Sequence, residues 1–198
     1  MIKKDINQND ILNSELLNII DYNYIFDENP IKRIKTKPTL ENSKSRLKSL
    51  ENKIKAIENC NLKKNASKIV FSDGSIQSPI MIVGEGPGQK EDELGKPFVG
   101  DAGNLLNKML KAINIKRDKV YITNVVNYRA PNNRKPEPSE INRYSEFLKE
   151  HISIIDPKIL ILMGSTAMEA IIGSNKRISK ERGQWKEVII KQKNFKAI

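Results

Sequence analysis

Short apolar runs alternate with amphipathic stretches from about residue 66 onward, and their spacing predicts what each becomes. Residues 68–71 predict a short strand and 72–75 a turn. Residues 79–83 are apolar throughout and predict a buried strand; 120–126 and 157–163 predict two more. Between them lie helical periods. Residues 104–113 predict a helix with Leu105, Leu106, Met109 and Leu110 inward, and 140–155 a longer helix capped by Ser139. Gly164-Ser165-Thr166 predicts a turn into a helix over 167–172, and 185–190 a final strand. Upstream, 43–57 predicts a charged helix with Leu47, Leu50, Ile54 and Ile57 as its inner stripe, and 12–22 another helix. Pro30 and Pro38 interrupt the chain between these two. Strands alternating with helices predict an α/β fold, a parallel sheet covered on both faces.

Composition narrows the partner. The formal net charge is +11 over 198 residues, which favours a polyanion: DNA, RNA or an anionic surface. The plainer reading is a lysine-rich proteome. No stretch is long and apolar enough to span a bilayer, and the first ten residues lack the apolar centre of a signal peptide. The one cysteine, Cys60, excludes an internal disulfide framework and suits a reducing cytoplasm.

The densest chemistry lies in residues 81–104. Three tight turns follow a strand: Gly84-Glu85-Gly86-Pro87-Gly88, Gly95-Lys96-Pro97 and Gly100-Asp101-Ala102-Gly103. Loops beyond the carboxyl ends of parallel strands are where such sheets bind ligands. Three loops qualify (84–104, 124–138 and 164–166), with Glu85, Glu91, Asp92, Phe98, Asn124, Arg129 and Ser165 as candidate groups. A phosphate cradle is disfavoured, because no Gly-Lys-Ser/Thr follows the glycines and Pro87 removes a donor. A flipped base fits better. It needs an aromatic plate, which Phe98 can supply, and a group that reads the Watson–Crick edge. The Asn124 amide carries one acceptor and two donors, so it can meet O4 and N3–H of uracil together. Each group also has an ordinary structural alternative. Glu85 suits a turn cap, Glu91 and Asp92 suit helix N-terminal charges, Phe98 core filling, Asn124 a turn and Ser165 an N-cap.

The segments GEGPGQKEDELGKPFVGDAGNLL, YITNVVNYRAPNNRKPEPSE, DPKILILMGSTA and RGQW resemble, in order and spacing, the family 4 uracil-DNA glycosylases. The likeness spans roughly residues 54–198, and IFDENPIKR in the arm is faintly similar to an N-terminal extension of some members. It implies a three-layer α/β/α sandwich around a mostly parallel four-stranded sheet. A glycosylase-like domain over 46–198 behind an arm at 1–45 is expected. The implied activity is hydrolysis of the uracil–deoxyribose bond, with uracil-containing DNA as partner; separately, a monomer in the cytoplasm is expected. Glu85, Glu91 and Asn124 take the catalytic positions. Gly84, Gly86, Pro87, Gly88, Phe98 and Asn124 line the substrate pocket, while Arg129, Lys135 and Ser165 face DNA.

Two departures carry expectations of their own. The family usually binds a [4Fe-4S] cluster through four cysteines. Here Cys60 keeps one position, and Lys63, Tyr128 and Tyr144 occupy the others. Iron–sulfur clusters need thiolate ligands, so none is expected. The family also carries a His-Pro-Ser segment beyond the GQW strand. The sequence given reaches Ile198 first, and His151, mid-helix, is no substitute. Weakened turnover and a sheet edge without its final parallel strand are therefore expected. The rival to an enzyme is a degenerate module that binds DNA or uracil without turnover. A second rival is an unrelated nucleotide-binding α/β protein.

Overall fold

The computed structural model describes residues 39–173 and 176–198. The expectations for 12–22 and for most of the arm lie outside them. The first described helix, α1 (Leu40–Lys55), is capped by Thr39, whose hydroxyl accepts from Asn42 N–H. It buries Leu47, Leu50 and Ile54, the predicted stripe, and it straddles residue 45. A short helix, α2 (Asn61–Asn65), follows Cys60.

The sheet runs β1 (Asp73–Gly74), β3 (Tyr121–Asn124), β2 (Ile80–Gly84), β4 (Ile159–Leu162), β6 (Lys193–Ala197), β5 (Lys186–Ile190) in spatial order. The four inner strands are parallel, and the two edge strands are antiparallel to their neighbours. Helices cover both faces, as the fully buried strands require. Met81, Val83 and Tyr121 face a core shared with α1 and with α5 (Pro138–Ile155). Ile82 and Ile122 face the other way, onto Leu106 and Leu110 of α4 (Asp101–Ala112). The remaining helices are α3 (Gln89–Leu94), α6 (Ser165–Ile172) and α7 (Ile178–Glu181).

Five expectations need correction. Residues 68–71 form no strand. Thr123 Oγ1 donates to Phe71 O, Asn127 Nδ2 donates to Val70 O, and Val70 N–H donates to Asn127 O, so isolated bonds hold the segment instead of a ladder. The two-residue β1 lies inside the predicted turn. Leu105 and Met109 are 59% and 53% exposed. The buried face of α4 is Gly103, Leu106 and Leu110, because Gly103 must press against the backbone of Phe98. Ser139 does not cap α5. Pro138 opens that helix, where a missing N–H costs nothing, and Glu140 accepts from Glu137 N–H at 2.8 Å.

The sheet also does not lack its fourth parallel strand. Lys193–Ala197 turns back from β5 and pairs with β4, Ile159 opposite Lys196 and Leu160 opposite Ala197. The reversal uses Lys191 and Gln192, both in left-handed conformation (φ 46° and 64°), the geometry of a primed two-residue hairpin turn. That turn normally announces itself as Asn-Gly, so Lys-Gln hid it.

Candidate active site

A cavity of about 540 Å³ opens at the carboxyl ends of β2, β3 and β4. Gly84 ends β2 directly opposite Asn124, which ends β3. A Cβ on Gly84 would lie 2.5 Å from Asn124 Oδ1 and 2.5 Å from Phe98 Cζ. Only glycine lets carboxamide and ring converge over the same backbone. Both line the cavity, with Met163 and Gly164 closing it from β4.

Asn124 is 3% exposed, and its Nδ2 has no hydrogen-bond partner among the described residues. Leaving a buried donor unmet costs about 1–3 kcal/mol. A carboxamide with an unmet donor thus lines the cavity.

Phe98 stands at φ 53°, a left-handed conformation that costs a bulky side chain about 1–3 kcal/mol. The surrounding loop must therefore be gripped. Glu91, buried on α3, accepts from Val99 N–H at 2.8 Å, Gly100 N–H at 2.7 Å and Gly88 N–H at 3.1 Å. One carboxylate thus ties the first turn to the third. Asp92, beside it, accepts from Ser67 and Lys68 N–H and anchors the loop from below. Glu85 is exposed at the cavity wall, and its carboxylate accepts from Thr166 Oγ1 at 2.5 Å.

The predicted site residues divide cleanly. Gly84, Glu85, Gly86, Gly88, Glu91, Phe98 and Asn124 line one cavity, whereas Pro87 is buried and is not among its lining residues. Lys135 Nζ and Ser165 Oγ meet at 3.4 Å, which joins the second and third loops at a rim. Arg129 is held by Asn133 at 2.7 Å. The neighbouring Arg134 is spent on a two-pronged pair with Glu140, whose carboxyl it holds below the usual range. Ser165 is the first residue of α6, and Gly164 takes the N-cap position, so no side chain caps the helix. Thr166, passed over in the sequence, is the buried hydroxyl that orients Glu85; a serine–threonine pair after a strand gives no hint of which one points inward.

Away from the cavity, Cys60 Sγ lies 3.4 Å from Tyr144 OH, with Tyr128 buried nearby. Burial, together with the thiol, pushes the Tyr144 phenol far above its ordinary value. Lys63 Nζ turns to the carbonyls of Lys55 (2.5 Å) and Ile57 (3.2 Å). One thiol, two phenols and an ammonium are not a ligand set for an iron–sulfur cluster. Among the described residues no group of three His, Cys, Asp or Glu could hold a metal ion. Nor is any helix there long and apolar enough to cross a membrane.

The family model described as the uracil DNA glycosylase superfamily matches residues 71–196. The type-4 uracil-DNA glycosylase of Thermotoga maritima is 42% identical over 132 residues, 66% of this chain and 69% of that protein. The type-4 enzyme of Sulfurisphaera tokodaii is 41% identical over 148 residues, covering 71% of this chain and 67% of its own. The type-4 enzyme of Archaeoglobus fulgidus is 38% identical over 125 residues, 63% of each chain. This chain belongs to the type-4 uracil-DNA glycosylase family. The matched span contains every residue that lines the cavity, from Gly84 to Gly164. Cys60 and Lys63 lie outside the superfamily match, whereas Tyr128 and Tyr144 lie within it.

Proposed function

We propose that this protein is a uracil-DNA glycosylase that hydrolyses the N-glycosidic bond of deoxyuridine in DNA and so starts base-excision repair. The observation that carries the reading is Asn124, which lines the cavity and whose buried Nδ2 has no hydrogen-bond partner among the described residues. An extruded uracil stacks on Phe98, accepts from Asn124 Nδ2 at O4 and donates N3–H to Oδ1. Cytosine offers the opposite pattern on that edge and leaves both amide atoms mismatched. As the C–N bond breaks, charge grows on the uracil ring. Donors already fixed around it then bind the transition state better than the substrate. Glu85, oriented by Thr166, faces the developing positive charge on the sugar and orients water. Glu91 acts on the reaction through the loop it braces, its oxygens being taken by three amides. Lys135, Ser165 and Arg129 hold the phosphate backbone at the rim.

The same reading gives uracil-containing DNA as the partner of a cytoplasmic monomer, with a domain at 46–198 and an arm at 1–45. It also makes this member cluster-free. The support is the chemistry at the four positions: a single thiol already bonded to Tyr144, and an ammonium bonded to carbonyls. Iron analysis and visible absorbance of anaerobically purified protein test this; a stoichiometric cluster would refute it.

Activity is tested with a single-stranded oligonucleotide carrying one uracil, followed by alkali. Strand breaks at uracil and none in a thymine control are expected. Tight binding without base release points instead to a module without turnover. Full activity in a combined Asn124→Ala, Phe98→Ala variant would overturn the residue roles.

A further inference from the structure

We propose that Arg117, locked by Asp73, is the positioning residue that holds the Phe98 plate in its working conformation. This rests on reading Phe98 as the stacking surface for the base.

Arg117 spends all three guanidinium nitrogens within one small region. Nε donates to Asp73 Oδ2 at 2.9 Å. Nη1 donates to Phe98 O and to Asn107 Oδ1, both at 3.1 Å. Nη2 donates to Pro97 O at 2.7 Å. The fork therefore grips two successive carbonyls, one on each side of the Pro97–Phe98 bond. A rigid planar fork suits that task better than a lysine, whose single ammonium cannot span both carbonyls as a fork.

The grip answers a need. Phe98 is a bulky residue at φ 53°, so its loop relaxes elsewhere unless its neighbours fix it. Gly103 lies so close beneath that a Cβ there would stand 1.9 Å from Phe98 O. Glu91 takes the amides of Val99 and Gly100 on the far side of the ring-bearing residue. A cation thus holds the carbonyls on either side of the Phe98 Cα, and an anion holds the two amides that follow.

Asp73 explains a strand with no other evident purpose. The two-residue β1 pairs Asp73 with Ile122 and Gly74 with Tyr121, which fixes Asp73 beside the segment carrying Arg117. Both side chains are about three-quarters covered. Arg117 itself does not line the cavity, so it acts on substrate only through Phe98.

A double-mutant cycle with uracil DNA tests this, with all variants assayed below their melting midpoints. Arg117→Ala alone is expected to lower kcat/KM about ten-fold, within what one base–aromatic stack contributes. In a Phe98→Ala background the same change is expected to do nothing, because the plate it positions is gone. Arg117→Lys should recover part of the loss. Should Arg117→Ala fail to fold, Asp73→Ala replaces it in the same cycle, with a loss of the same kind. An equal loss in both backgrounds, or no loss in either, overturns the clamp. Phe98→Ala at full activity overturns the stacking assignment and the clamp with it.

Discussion

The cavity and the buried face of α5 treat their polar atoms in opposite ways. At the cavity, Asn124 keeps an amide nitrogen unmet at 3% exposure. Along α5, polar atoms close on one another. Tyr144 meets Cys60, and His151 Nε2 meets Tyr121 OH at 2.6 Å while its ring stacks on Phe71 at 4.6 Å. Stability alone accounts for the second region and works against the first. A buried donor without a partner is a standing cost that a ligand removes. The candidate site is therefore marked by what it leaves unfinished, and the region around Cys60 by how fully its buried polar atoms are paired.

Removing a ring from the finished region should have the largest effect. Tyr144→Ala is expected to cost about 3–5 kcal/mol of stability in denaturant unfolding. Turnover per folded molecule should stay within about two-fold, since Tyr144 does not line the cavity. A turnover loss without a stability loss would merge the two regions and break the contrast.

Asn124→Ala should show the reverse. Two lost hydrogen bonds to a developing anion predict a fall in kcat/KM of about 10²-fold. Melting temperature should hold or rise slightly, because an unmet buried group has gone. A large drop in melting temperature would mean the carboxamide is structural after all.

His151 sharpens the contrast through pH. Burial holds its pKa down at about 3. The unfolded chain, at about 6.5, binds the proton first. Stability is therefore whole above pH 6.5 and falls as pH drops from there toward 3, by up to about 1.4 kcal/mol per unit from this group. Unfolding measured across that range should show the slope, and His151→Phe should flatten it. A slope unchanged in His151→Phe would place the acid sensitivity elsewhere.

The smallest effect belongs to the rim. Lys135→Ala should weaken DNA binding only a few-fold and reduce the salt slope by about 1. The uracil preference should not move.

Much of the cavity was legible from residue types and order. Phe98, Asn124 and the glycines of 84–88 announce a loop site, because glycine clusters after a strand seldom serve folding alone. The errors have local physical causes. Leu105 and Met109 satisfy the helical period as well as Leu106 and Leu110 do; the approach of Gly103 to Phe98 chose between the two stripes. β6 stayed hidden behind a Lys-Gln turn, and β1 behind a turn-like Ser-Asp-Gly-Ser.

What the sequence determined by itself was the chemistry on offer: an aromatic, a carboxamide, two loop carboxylates and a single thiol, on strands too apolar to be anything but inner. Only the tertiary structure decided which of these work together. Glu91 and Glu85 look alike along the chain, yet one is saturated by three amides and the other meets a single hydroxyl. Arg117 carried no signal at all, because its partners sit 10 to 44 residues away. Hydrogen-bond saturation depends on distances in space, and local patterning encodes only which residues are available to be brought close.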